Sequence, residues 1–211
     1  MRCPRARLWA VVVLAGLPAV AQKEHQQHSP RSSEEYARVL NDPKRDEWQK
    51  PHEVMQALAL RPEELVADIG AGAGYFSRRF AMHAATAYAV DIDAKLLAIA
   101  GEGAPSNHKT IVAAADDPKL PAKSVDTIFF CDVLHHIENR AAYYKKLNMA
   151  LKPGGRIVVI DFHKKATPVG PPAAMRLSAE EVMGEFDQAG FRKTNQFDFL
   201  PYQYFLVFER K

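Results

Sequence analysis

Two runs in the middle of the chain, Thr127-Ile128-Phe129-Phe130 and Ile157-Val158-Val159-Ile160, are apolar without alternation. A strand with one wet face alternates apolar and polar residues, so these need cover on both faces. Around them, strand-length and helix-length segments alternate. Residues 65–69 read as a first strand, with a helix over 75–83. Residues 86–93 read as a second strand with a helix over 94–100, and 109–114 and 124–132 as the third and fourth. Asn139 is placed to cap a helix reaching Leu151, where Lys152-Pro153-Gly154-Gly155 should break the chain before a fifth strand over 156–162. This alternation predicts a doubly wound, mostly parallel α/β sheet.

Both flanks carry start and stop signals. Ser32 with Glu35 forms a capping-box pattern for a helix through Leu40, and Pro51 opens another with Val54, Leu58 and Leu60 as its apolar side. Ser178 with Glu181 repeats the capping box, and Gly190 stops that helix. From Phe191 onward, two aromatic-rich runs separated by a short turn predict an antiparallel hairpin.

The first 21 residues differ from the rest. Arg2, Arg5 and Arg7 precede a short apolar run that ends in Ala19-Val20-Ala21, followed by a polar tract. A basic start, an apolar core and a small-residue site predict a secretory signal peptide over 1–21, a flexible linker over 22–33 and the catalytic domain over 34–211. Export to the periplasm or medium follows, with a cytoplasmic protein as the outcome if the segment is not a signal. Cleavage would remove three of 28 basic residues and none of the 25 acidic ones. The mature chain is then neutral, which argues against a nucleic-acid partner. It would keep Cys131 and lose Cys3, so no internal disulfide is expected. No membrane anchor is expected after cleavage, and the chain should be a monomer or dimer. His25 and His28 lack a third ligand nearby, and no metal site is expected.

After the first strand, Gly70, Gly72 and Gly74 alternate with small residues. The dinucleotide fingerprint needs a glycine where this chain has Tyr75. Asp68 ends strand one, Asp91 ends strand two, and Asp116 and Asp117 follow strand three. Ligands of such sheets bind beyond the carboxyl ends of the strands, so these acids border one crevice. An acid-lined crevice suits a nucleoside bearing an ammonium group better than a polyphosphate.

The stretches 66–81, 87–100, 116–140 and 151–162, in this order, resemble class I S-adenosylmethionine-dependent methyltransferases of the small-molecule, ubiquinone-biosynthesis-like kind. The resemblance implies a seven-stranded sheet in the order 3-2-1-4-5-7-6. It implies S-adenosylmethionine as cofactor, with Asp68 toward the methionine ammonium and Gly70, Gly72 and Gly74 admitting the nucleoside and methionyl parts. It further implies Asp91 on the ribose hydroxyls, Ile92 against adenine, and Asp132 with the backbone around Cys131 at the methionine end. The family's adenine-binding acid falls nearer Ala114, so Asp116 or Asp117 would substitute for it.

Transfer from a sulfonium needs alignment and dryness more than acid–base chemistry, and a base only where the acceptor loses a proton. His135, His136 and His163 are the candidate bases, each also able to serve packing; His136 is the one expected to face the acceptor. Cys131 reads as a small buried hydrophobe. Residues 163–177, rich in proline, could form a lid, a substrate wall or a spacer, with Tyr202 and Tyr204 beside the acceptor. Trp48 and Lys50 lie on the segment that covers the cofactor in relatives. The leading function is methyl transfer to an unidentified small molecule. The alternative is an exported nucleoside- or metabolite-binding protein without turnover, and a nicotinamide oxidoreductase is disfavoured by Tyr75.

Overall fold

The computed structural model describes residues 32–211. The signal segment, His25 and His28, and all of the expected linker except Ser32 and Ser33 lie outside the described residues. The chain order is α1 (Ser33–Leu40), α2 (Asp46–Gln49), α3 (Pro51–Leu58), β1 (Leu65–Ile69), α4 (Ser77–Ala81), β2 (Thr86–Asp91), α5 (Ala94–Gly101), β3 (His108–Val112) and β4 (Val125–Cys131). It continues with α6 (Arg140–Ala150), β5 (Leu151–Phe162), α7 (Ala179–Gln188), β6 (Phe191–Phe197) and β7 (Gln203–Arg210). The seven strands form one sheet in the order β3-β2-β1-β4-β5-β7-β6. β1 to β5 pair in parallel, and β7 pairs antiparallel with both β5 and β6. This is the strand order the family resemblance implied.

Both faces of the sheet are packed, as the continuous apolar strands require. Ile128, Phe130, Ile157 and Val159 join Tyr143, Tyr144, Leu147 and Phe186 in one core, which lies under α6 and α7. Phe129, Val158 and Ile160 join Val54, Leu58, Phe76 and Phe80 in the other, under α3 and α4. Successive strand side chains point to opposite faces, so neighbours in one apolar run feed different cores. Val54 and Leu58 are buried and Leu60 half-buried, close to the apolar side expected for α3. Both capping boxes form: Ser32 accepts from Glu35 N–H, and Ser178 accepts from Glu181 N–H. The Asn139 side chain caps α6.

Two expectations need correction. The helix after the glycine loop is shorter than 75–83, because residues 72–76 are spent on turns and the helix runs only over Ser77–Ala81. Lys152-Pro153-Gly154-Gly155 ends α6 but inserts no separate loop before the strand. Val125 pairs with Leu151 and Thr127 with Arg156, so these four residues bulge opposite Asp126 within β5. Gly154 turns at φ +74°, and a Cβ on Gly155 would come within 2.8 Å of the Asp126 carbonyl. Among the described residues, no helix is long and apolar enough to cross a membrane.

Candidate active site

The crevice is built where β1, β2, β4 and β5 end. Gly70, Gly72 and Gly74 have φ values of +72°, +54° and +87°, which only glycine adopts without strain. Each also touches the chain itself. A Cβ on Gly70 would overlap Val133, one on Gly72 would lie 2.7 Å from Leu40 Cδ1, and one on Gly74 would lie 2.9 Å from Ala100 Cβ. The glycines therefore serve both the turn and the close packing of α1, α5 and Val133 against it.

Asp91 is tied to that loop. Its Oδ2 accepts from Gly72 N–H at 2.7 Å and its Oδ1 from Asp93 N–H at 2.9 Å. Each carboxylate oxygen has two lone pairs, so both retain capacity for a further donor. Burial raises the carboxyl, while these backbone donors pull it back. Ile92, next along the chain, is 46% exposed, an apolar face open at the crevice mouth. Asp68 is elsewhere: 3% exposed, it receives the Ser77 N–H under the loop. Burial pushes its pKa up to about 8, so it is largely a neutral acid that closes the turn onto α4.

Asp116 and Asp117 stand at the outer rim. Asp116 is exposed, with its carbonyl accepting from Lys146 Nζ at 2.7 Å. Asp117 accepts from Lys119 N–H at 2.8 Å and pairs with Lys146 at 3.3 Å; its turn closes on Ala114. Burial raises the Tyr143 hydroxyl, and the charges of Asp117, Asp116 and Asp91 raise it further. Neither hydrogen-bonds the glycine loop.

At the end of β4 a polar cluster joins four distant segments. Asp132 adopts φ +59°, a left-handed conformation uncommon outside glycine. Its Oδ1 accepts from Gln203 Nε2 at 2.6 Å, and the Gln203 Oε1 accepts from Gln49 Nε2 at 2.9 Å. Gln49 in turn receives Arg45 Nε and Nη2 at 3.2 and 3.0 Å. The Arg45 guanidinium lies 4.1 Å from the Tyr75 ring centroid and 3.7 Å from Asp132 Oδ2. Burial and the neighbouring Asp161 push the Asp132 pKa up to about 6, opposed by Arg45 and Gln203. The Cys131 thiol is raised well above its usual range by burial, so it stays protonated and weakly nucleophilic.

The three histidines part company here. His135 Nδ1 lies 3.0 Å from Asp161 Oδ2, with both side chains essentially buried. Burial lowers the His135 pKa, but the Asp161 hydrogen bond and charge more than reverse it. A buried imidazole already engaged by a buried carboxylate is poorly placed to meet an acceptor, which favours a structural role. The His136 ring packs beside it at 4.2 Å between centroids, tilted by 43°. His163, lowered by burial and Lys165, stands edge-on to Tyr204 at 5.9 Å. Tyr204 is buried and its hydroxyl donates to the Leu177 carbonyl, whereas Tyr202 is half-buried. Trp48 packs against Phe162 at 5.6 Å, and Lys50 is the left-handed joint between α2 and α3.

The stretch 163–177 is pinned to one buried arginine. Arg176, 3% exposed, donates to the carbonyls of His163, Lys165, Val169 and Pro171 and to Thr167 Oγ1, and it covers the Phe162 ring. Sequence reasoning missed Arg45, Gln49, Gln203, Asp161 and Arg176. Asp161 had a signal, being the one acid within the apolar fifth strand. The others act across up to 154 residues, and no local pattern announces them.

The profile of the methyltransferase-domain family matches residues 67–159. Demethylmenaquinone methyltransferase of Tropheryma whipplei is 31% identical over 115 residues, 54% of this chain and 48% of that protein. Phosphoethanolamine N-methyltransferase 1 of Arabidopsis thaliana is 26% identical over 117 residues, 52% of this chain. The chain thus spans only 23% to 48% of the length of these curated relatives. A methyltransferase from Aquifex aeolicus described as S-adenosylmethionine-dependent superposes with a TM-score of 0.77 at 24% identity, covering 84% of this chain and 98% of that one. That likeness is one of fold. With the strand order and the glycine loop between β1 and α4 lying inside or around the matched span, residues 67–159 match the methyltransferase-domain family and the chain has the fold of S-adenosylmethionine-dependent methyltransferases.

Proposed function

We propose that this protein transfers a methyl group from S-adenosylmethionine to a small-molecule acceptor. The observation that carries the reading is Asp91, a carboxylate at the end of β2 fixed against the Gly72 N–H with lone pairs to spare. The residues present fit the cofactor. The loop glycines keep side chains off the backbone, Asp91 suits two adjacent ribose hydroxyls, and Ile92 offers an apolar face to adenine. Asp132, at the β4 end, borders the methionine part, whereas Asp68 supports the loop from beneath. Asp116 and Asp117 are the acids nearest the adenine edge.

When bound, the cofactor supplies a methyl group on a sulfonium, already activated for displacement. The chain's part is then to orient and to exclude water. The wall held by Arg176 and the Trp48–Phe162 pair enclose the acceptor side. His136 is the residue that would take a proton from a protic acceptor, with His135 held in place by Asp161.

Asp91→Ala should weaken S-adenosylmethionine binding by about 2–4 kcal/mol through loss of two charge-assisted hydrogen bonds. Calorimetry at fixed salt, with NAD as the control ligand, reads it, and an unchanged dissociation constant would sink the ribose assignment. Turnover is read as S-adenosylhomocysteine formed with phosphoethanolamine, demethylated quinols and a metabolite extract as acceptors. The apolar, arginine-preceded N-terminus favours a second reading, an exported binding protein without turnover. A mature N-terminus at Gln22 in the periplasm, together with binding but no product, would support it.

A further inference from the structure

Beneath the glycine loop, one buried titratable side chain is only half satisfied. His108 opens β3, and its Nε2 lies 3.0 Å from Ser77 Oγ at the start of α4. The residue is 8% exposed, and its Nδ1 is buried with no hydrogen-bond partner among the described residues. Ser77 is wholly buried, and its own N–H goes to Asp68 under the loop. Asp68, Ser77 and His108 therefore link the end of β1, the start of α4 and the start of β3. The neighbouring Asn107 amide ties the other end of α4, donating to the Ala81 and Ala84 carbonyls at 2.8 and 2.9 Å. α4 thus rests on residues 107 and 108, and the loop glycines lead directly into it.

A neutral imidazole has one donor and one acceptor, whereas the imidazolium has two donors. Neutral, His108 can serve Ser77 through Nε2–H and leave a bare lone pair at Nδ1. Protonated, it carries a buried Nδ1–H that nothing receives, which costs the full desolvation of that donor. The ionisable groups of the elements packed against β3 are Arg78 and Arg79 on α4, Lys95 on α5, and Tyr88 and Asp91 on β2. Of these, Arg78 acts on the ring: burial first, and then this guanidinium, hold the His108 pKa below the usual histidine value. We propose that His108 is a proton-sensitive latch: neutral, it seats α4 and the glycine loop on β3, and proton uptake in mild acid unseats them and weakens cofactor binding. The seating of α4 is independent of what the crevice holds, whereas the effect on binding rests on S-adenosylmethionine being its ligand.

The test compares the wild-type chain with His108→Gln, whose amide can donate to Ser77 and does not titrate. A histidine whose folded pKa lies below its unfolded 6.5 costs stability as pH falls through 6.5 toward the folded value, and the loss levels off below that. Urea midpoints should therefore show the wild type losing ground to His108→Gln as pH drops from about 7.5 to 5.5. In calorimetry at about pH 7.5 the two should bind S-adenosylhomocysteine within about threefold of each other. At about pH 5.5 the wild type should be weaker by roughly 3- to 10-fold, a tenfold loss matching one pKa unit of linkage. Asp68, Asp132, His135 and His163 titrate in or near this range but are common to both proteins, so they drop out of the difference. Arg78→Met, which keeps the histidine and removes the neighbouring charge, should shrink the acid loss. A stability difference between wild type and His108→Gln that stays flat with pH would overturn the latch. A difference that changes with pH in stability but not in affinity would overturn its reach to the loop. Wild type that binds no S-adenosylhomocysteine at either pH would overturn the cofactor site alone, and the urea midpoints would still decide the latch.

Discussion

Arg176→Met tests the claim that residues 163–177 form a fixed wall. The wild-type guanidinium uses its Nε for Pro171 O at 2.7 Å, and Nη1 for His163 O and Lys165 O at 3.0 and 2.7 Å. Its Nη2 serves Thr167 Oγ1 and Val169 O at 2.7 and 3.3 Å, and its Cζ lies 4.9 Å from the Phe162 ring centroid. Hydrogen bonds to a charged group contribute about 1.5–3 kcal/mol each. Much of that is recovered here, because Lys164, Lys165 and Ala166 are exposed and the freed carbonyls nearby regain water. A net cost of about 3–5 kcal/mol remains, typical of breaking a buried charged network. For a domain of this size that lowers Tm by about 6–20 °C. If the loop melts locally, the global loss is smaller and trypsin gains access to Lys164 and Lys165. Urea denaturation and a timed trypsin digest read both outcomes. An unchanged Tm together with an unchanged digest would refute the pinned wall and make the segment a spacer.

Asp68→Asn keeps an acceptor for the Ser77 N–H and removes an acid whose pKa burial raises from 3.8 to about 8. An acid so raised costs the wild type stability as pH climbs from the unfolded toward the folded pKa, so the variant's relative stability should rise between about pH 4 and 8 and level off above; a pH-independent difference in denaturation midpoint would contradict it. His135 has a folded pKa above its unfolded value of 6.5, so the His135–Asp161 pair stabilises fully below pH 6.5 and fades as pH rises through the folded pKa. The wild-type advantage over His135→Asn in thermal denaturation should shrink in the same direction, and a constant advantage would count against the charged pair. His136→Ala should slow single turnover about 10²–10⁴-fold with cofactor affinity nearly unchanged, whereas loss of Tm alone would return His136 to a packing role.

The sheet was legible because its causes are local. Unbroken apolar runs at 127–130 and 157–160 demand two covered faces, and capping boxes at Ser32 and Ser178 begin helices through contacts three residues apart. The hairpin of β6 and β7 followed from two aromatic-rich runs joined by a short turn. The glycine loop and Asp91 were visible for the same reason, since a strand end, a turn and a strand end repeat at fixed spacing. What the chain order could not convey was which way a side chain turns once strands are side by side. Asp68 and Asp91 look alike in sequence, each an acid at or near the end of a strand. Burial beneath the loop makes one a neutral prop, while the other stays at the crevice mouth. His135 and His136 are adjacent, and His135 meets Asp161 because β5 pairs with β4. Arg45, Gln49, Asp132 and Gln203 meet because α2 lies over the ends of β4 and β7. Such contacts arise from packing across tens of residues, where no sequence period operates, so their geometry belongs to the tertiary structure alone.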